Sequence, residues 1–398
     1  MDSLSKPMNT RPVAPQPPPP EAAALAAAVA LSNPLRRPAL SLAGVDPAAI
    51  ARRSHQLGTT PAVAHHLAAL GHLDALSAWD HQLSHETLAR NMLSLSLAQA
   101  AAAALEEAGI RCVALKGLAA LIDMYGHHVG LRKMFDTDLL IDDATFTRAH
   151  RILVELGWSR VIEGPVTSRV NVEAVFIQRF GHSGATHEVK LEIHRGLTFP
   201  GRFQIHPADL WRRARRLPDA ASPRWRLDPL DALLYLAVHK AQHGYYNDCR
   251  DLVDAANLLA RHPDLDVDRL VRRAHRWGAT AATWLFLRRA QRAFAAPVPP
   301  EALARLQPSP ARADLLDRLM PDATVQLDFR QRRAFQIPLR RRLLAIAAAA
   351  DRPGREASAL ALIAARRAAD RALAALPMQL GEALAARTLD AVPLHTGQ

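Results

Sequence analysis

Asp136 and Asp138 flank a single threonine and lead directly into the apolar run Leu139-Leu140-Ile141. If that run is a β-strand, its side chains alternate between two faces. Both carboxylates then project the same way, with their Cα atoms roughly 7 Å apart. Phe135, Thr137 and Leu139 occupy the other face. Paired carboxylates on a strand suit Mg²⁺, a hard cation that takes oxygen ligands and shares them with phosphate. A solvated strand end is the plain alternative, and Asp-x-Asp alone does not decide between the two.

Two further stretches fit the same chemistry. Ile110 to Leu115 is a buried apolar run that stops at Lys116-Gly117, where a helix is expected to begin. A glycine there admits phosphate close to the backbone, helix N-terminal amides attract the anion, and Lys116 adds a point charge. His187 to His194 alternates, with Glu188, Lys190, Glu192 and His194 on one face and Val189, Leu191 and Ile193 on the other. Glu192 is positioned to complete a site with the aspartate pair. Two Mg²⁺ (or Mn²⁺) ions on three carboxylates would hold a triphosphate, lower the pKa of an attacking hydroxyl and stabilise leaving pyrophosphate. Without metal, such carboxylates raise one another's pKa values. His239 and His243 lie four apart and share a helix face, as metal ligands, phosphate contacts or packed core histidines all do.

Composition narrows the setting. The chain has 398 residues, enough for two globular parts, and no apolar run of the eighteen or so residues that a membrane helix needs. Cys112 and Cys249 are the only cysteines, which leaves no disulfide framework and no cysteine zinc site, and a cytoplasmic location is expected. The net charge of +12 is uneven: residues 261–398 carry 23 arginines against 13 acidic residues. Those arginines are scattered among Ala and Leu at helical spacing with few aromatics, the pattern of a solvated helical surface, although an anionic partner is compatible with it. The triplet Arg340-Arg341-Arg342 reads as solvated in the same way. Only five of the 50 basic residues are lysines (Lys6, Lys116, Lys133, Lys190 and Lys240), and three of these fall between residues 110 and 195. A lysine retained in an arginine-rich chain hints at a place where a compact ammonium is needed.

The elements that must carry these residues form an α+β pattern. Residues 1–33, rich in Pro and Ala, read as a disordered leader. Residues 34–109 form an N-terminal helical region, with a break near Gly58 to Pro61 and a long helix from Ser84 to Gly109. A small core of about five mixed strands with helices is expected over residues 110–215. Residues 216–398 read as a helical domain punctuated by prolines, with its last helix at Glu356 to Ala375.

Leu115-Lys116-Gly117, Gly130-Leu131-Arg132, Asp136-Thr137-Asp138-Leu139-Leu140-Ile141 and Leu191-Glu192-Ile193-His194 occur in this order. Together with Arg90-Asn91 ahead of them, and His239, His243 and Asp254 behind, they resemble a bacterial nucleotidyltransferase family. That family is a poorly characterised branch of the DNA-polymerase-beta-like nucleotidyltransferase superfamily, and the resemblance covers about residues 45–260. It implies that Asp136, Asp138 and Glu192 bind Mg²⁺ (or Mn²⁺), and that Lys116, Gly117 and Arg132 contact nucleotide phosphates. His194, His239 and His243 become candidate acceptor or phosphate contacts. The expected activity is transfer of a nucleoside monophosphate from an NTP to a hydroxyl on a small molecule, a protein or an RNA, with no membrane or DNA partner. The other class of reading is a decayed transferase that binds or regulates a partner through its basic helical C-terminal half.

Overall fold

The computed structural model describes residues 20–36, 41–161, 173–182, 185–199, 201–217, 222–243, 249–320 and 339–352, with positions 354, 357, 358 and 361. The long helix α4 (Ala78–Glu107) starts earlier than its apolar pattern indicates, because Ser77 and Asp80 form a capping box at its front. Ahead of it lie α2 (Pro47–Leu57), capped by the Asp46 carboxylate, and α3 (Thr60–Ala69). The break between them falls where glycine and proline predict it, with Gly58 left-handed at φ 71°.

The chain ahead of α2 departs from the expected leader. Pro20–Leu31 is a helix, α1, with Ala24, Ala27, Ala28, Val29 and Leu31 buried. It packs on α2, α3 and the C-terminal helix α11 (Thr280–Phe294). Alanines let it approach its neighbours closely, and the proline tract in front of it disguises the helix in sequence. Residues 1–19 and most of the expected helix from Glu356 to Ala375 lie outside the described residues.

The sheet has seven described strands in the order β3-β4-β5-β2-β1-β7-β6. These are β1 (Val113–Ala114), β2 (Thr137–Leu140), β3 (Ser159–Arg160), β4 (Glu173–His182), β5 (Ala185–His194), β6 (Arg215–Arg216) and β7 (Trp225–Arg226). The last two were not anticipated: two-residue strands leave no periodicity to read, and β7 lies within the stretch expected to be wholly helical. It pairs in parallel with β1. Sheet and C-terminal helices are therefore joined through shared strands.

One face of the sheet, carrying Leu139, Ile141, Leu191 and Ile193, packs on α4 and on α6 (Phe146–Glu155). Behind the other face stand α8 (Pro229–Gln242) and α9 (Arg250–Arg261), whose leucines share a core with Val113, Leu115 and Leu140. The polar side chains of β2 and β5 thus look into the seam between sheet and helices. The helices α10 (Val267–Trp277), α12 (Pro300–Leu306), α13 (Pro310–Leu319) and α14 (Leu339–Ala349) complete the body, close to the spans their apolar spacing predicts. No described helix is long and apolar enough to cross a membrane.

An ion cluster ties α8 to its surroundings. Asp228 caps α8 and accepts hydrogen bonds from Arg215 and Arg273, while Asp231 accepts from Arg213 and Arg273. Burial by itself would raise the Asp228 carboxyl, but the hydrogen bonds from Arg273 and Arg215 win and hold it below its ordinary value. A carboxylate with a lowered folded pKa contributes stability that is complete above its unfolded value, near about 3.9, and is lost as pH falls through the folded one. Asp228→Ala is expected to cost about 2 kcal/mol at pH 7, from the lost cap and the arginines left without a partner. It should also flatten the fall of Tm with pH below about pH 4, as a thermal-melt series across pH would show.

Candidate active site

β2 and β5 run parallel in a register that sets Asp138 beside Glu192 and Leu140 beside His194. The Thr137 hydroxyl, on the opposite face, donates to the Lys190 carbonyl and locks that register. Alternation then places Asp138, Glu192 and His194 on the face toward α8, as the sequence pattern implies. All three are buried. His194 Nε2 lies 2.8 Å from Asp138 Oδ1 and 3.6 Å from Glu192 Oε2. Asp136, half-buried, stands one residue ahead of the strand.

Cations answer these carboxylates. Lys116 Nζ lies 2.7 Å from Asp138 Oδ1, and the Lys190 ammonium donates to Glu192 Oε1. Lys116 reaches its place from a left-handed backbone, φ 40°, at the junction between β1 and the short helix α5 (Lys116–Ala120). A non-glycine residue held there stores backbone strain, of order 1–3 kcal/mol, and such strain concentrates at functional sites.

The charges pull on one another. Burial first, then the negative charge of Asp138, pushes the Asp136 carboxyl up to about 6, with Glu192 adding to the effect and Lys116 opposing it. Burial would lift Glu192 too, but His194, Lys116 and Lys190 hold it far below the usual carboxylate range. His194 is raised to about 9: burial opposes its proton, while the hydrogen bonds to Asp138 and Glu192 prevail. Burial likewise works against the Lys116 ammonium, and Asp138 more than compensates.

Could this arrangement hold a metal? One ligand atom each from Asp138, Glu192 and His194 fall within 4.8 Å of one another. Burial first, and then the neighbouring Asp138 carboxylate, raises the Asp136 carboxyl beside them, and a cation bound there would oppose both effects. An oxygen-rich donor set with one imidazole fits a divalent ion.

Arg132 is used differently from the expected phosphate contact. It is buried, and its guanidinium is held by the Asp254 carboxylate on α9: Nε donates to both oxygens at 3.0 Å and Nη2 to Oδ2 at 2.6 Å. The Tyr125 hydroxyl donates to the same carboxylate at 2.9 Å. Asn91, on α4, donates to the carbonyls of Val129 and Arg132 and so fastens the loop that leads into Asp136. Gly117 has a matching role, since a Cβ there would lie 2.7 Å from Arg132 Nη1. The glycine admits a guanidinium of the chain itself.

His239 and His243 form an aromatic file on α8 with Tyr235, ring centroids 6.0 Å and 4.5 Å apart in turn. Burial, and next the charge of Lys116, hold the His239 imidazole well below its ordinary pKa. It is therefore a neutral group beside the site. Alternation in β5 places Lys190 on the face that carries Glu192, whereas nothing in the sequence distinguishes Tyr235 from its apolar neighbours on α8. The scarcity of lysine was the one signal that pointed to Lys190.

A family model described as uncharacterised nucleotidyltransferase matches residues 43–295, from just before α2 to the end of α11. The chain belongs to this nucleotidyltransferase family. No curated protein and no solved structure matches the chain. The matched span includes every strand of the nucleotidyltransferase sheet, the Lys116-Gly117 junction and the Arg132–Asp254 pair.

Two substitutions test the clamp around Arg132. Asp254→Ala strands a buried guanidinium and is expected to cost about 3–5 kcal/mol. Gly117→Ala forces that guanidinium off its bonds and should cost roughly 1–3 kcal/mol. Urea unfolding would measure both; a loss below about 0.5 kcal/mol in each would mean that the pair is not holding the loop.

Proposed function

We propose that the protein is a Mg²⁺- or Mn²⁺-dependent nucleotidyltransferase that moves a nucleoside monophosphate from an NTP to a hydroxyl acceptor. The observation that supports this best is the parallel register of β2 and β5, which puts Asp138 and Glu192 side by side with Asp136 adjacent and Lys116 across from them.

On this reading Asp136, Asp138 and Glu192 hold the metal, with His194 against two of them. Bound there, the metal supplies charge neutralisation for the triphosphate and acidifies the attacking hydroxyl. The rest falls to the chain. Lys116 presents an ammonium to nucleotide phosphate, and the backbone at Gly117 lies next to it. Arg132 acts at one remove, by keeping the loop ahead of Asp136 in place. Neutral His239, with His243 farther along α8, offers ring faces and hydrogen bonds without adding charge. The acceptor oxygen bonds to the α-phosphorus as the bond to pyrophosphate breaks, and the hydroxyl proton leaves through the carboxylate cluster or solvent. Burial of Asp138 and Glu192 keeps water from screening these charges. A cytoplasmic location suits this reading and the two buried cysteines, neither of which forms a disulfide.

The test is transfer of label from α-³²P NTPs, with Mg²⁺ or Mn²⁺, to pooled small-molecule, protein and RNA acceptors. Asp136→Asn and Glu192→Gln are each expected to lower transfer about 10²- to 10³-fold, the scale of one lost electrostatic contact to a transition state. Absence of transfer, together with absence of any metal-dependent thermal shift by an NTP, would remove the enzyme reading. A binding or regulatory role would be left, with Lys116 and Lys190 as permanent counter-ions of the carboxylates.

A further inference from the structure

Tyr235 sits in the middle of α8 and is 1 % exposed. Its ring packs in the core shared by sheet and helices. Its hydroxyl makes no hydrogen bond to any described residue. Buried tyrosine hydroxyls are nearly always bonded, to a protein group or to water.

The surroundings of this hydroxyl are not those of a packing defect. Tyr235 and Lys116 line the same cavity, of about 50 Å³, whose lining is otherwise mostly apolar and includes Asp123 and Asp254. Lys116 in turn bonds Asp138. Tyr235 is the innermost member of the file that continues through His239 to the exposed His243, so the file runs from solvent toward the carboxylate cluster. Burial, with Asp138, Glu173 and Glu192 nearby, drives the phenol pKa up even though Lys116 opposes it. The group keeps its proton and is a donor, not a base. Two donors on one cavity, one of them an ammonium, suit an anionic oxygen.

We propose that Tyr235 is a substrate-contacting residue of the nucleotidyltransferase site, its hydroxyl donating to a phosphate oxygen of the bound nucleotide beside Lys116. This rests on the nucleotidyltransferase reading above and adds to it a residue for the phosphate-binding end of the site.

Tyr235→Phe in the full chain tests it. Binding of ATP, GTP, CTP, UTP and inorganic tripolyphosphate, each with Mn²⁺, is measured by calorimetry for wild type and variant, and Tm is measured without ligand. The expected result is about 10-fold weaker binding of the preferred NTP and of tripolyphosphate, with Tm unchanged or higher. Equal binding by both proteins would overturn the proposal while leaving the nucleotidyltransferase reading intact. So would a fall in Tm accompanying the loss of binding, which would make the hydroxyl structural. Weaker binding of NTP with tripolyphosphate unaffected would move the contact to sugar or base and refute the phosphate assignment. If wild type binds none of the five probes, this proposal and the reading beneath it fall together.

Discussion

Everything at this site follows from two carboxylates placed side by side inside a protein. The β2–β5 register brings Asp138 against Glu192 in a buried seam, where their repulsion is much stronger than it would be in water. Such a pair persists only with positive charge in contact. Lys116 supplies it to Asp138, Lys190 to Glu192, and His194 to both. Asp136 is raised by burial first and by Asp138 next. The cluster is thus neutralised by side chains of the chain itself, an arrangement open to a cation that can displace an ammonium.

A second buried ion pair fixes the scaffold on which the first is built. Arg132 and Asp254 join the loop ahead of β2 to α9, over a hundred residues later in the chain. The guanidinium also packs against Gly117, so one pair determines the geometry of both the Lys116 junction and the aspartate strand. With Asn91 holding the same loop from α4, the site is braced by a helix before the sheet and a helix after it. This explains why the family match extends across helices on both sides of the strands.

The parts of this arrangement that were legible in sequence are those governed by alternation and by termination. Asp136-Thr137-Asp138 and Lys190 to His194 declared their faces through period two, and the helices from Val267 to Leu306 declared themselves through apolar spacing and prolines. Pairings across long sequence separations were not legible. Nothing local to Arg132 distinguishes a guanidinium aimed at phosphate from one satisfied by Asp254, because the choice is made by a helix 122 residues away. Tyr235 was hidden for a related reason: in sequence it is one more apolar position on α8, and only its missing hydrogen bond sets it apart. The short strand β7 pairs with the edge of β1, and β6 with β7, pairings that two-residue stretches do not announce.

The helix α1 alters where the folded unit begins. Its buried alanines and Leu31 lie against α2, α3 and α11, joining the first described helix to one some 250 residues later. The family match opens only at residue 43. A chain trimmed to the matched span would lose α1 and expose the apolar surfaces it covers, inviting self-association through a newly bared face. In a molecule whose candidate site lies in the seam between sheet and helical body, that N-terminal clasp belongs to the folded unit as much as the strands do.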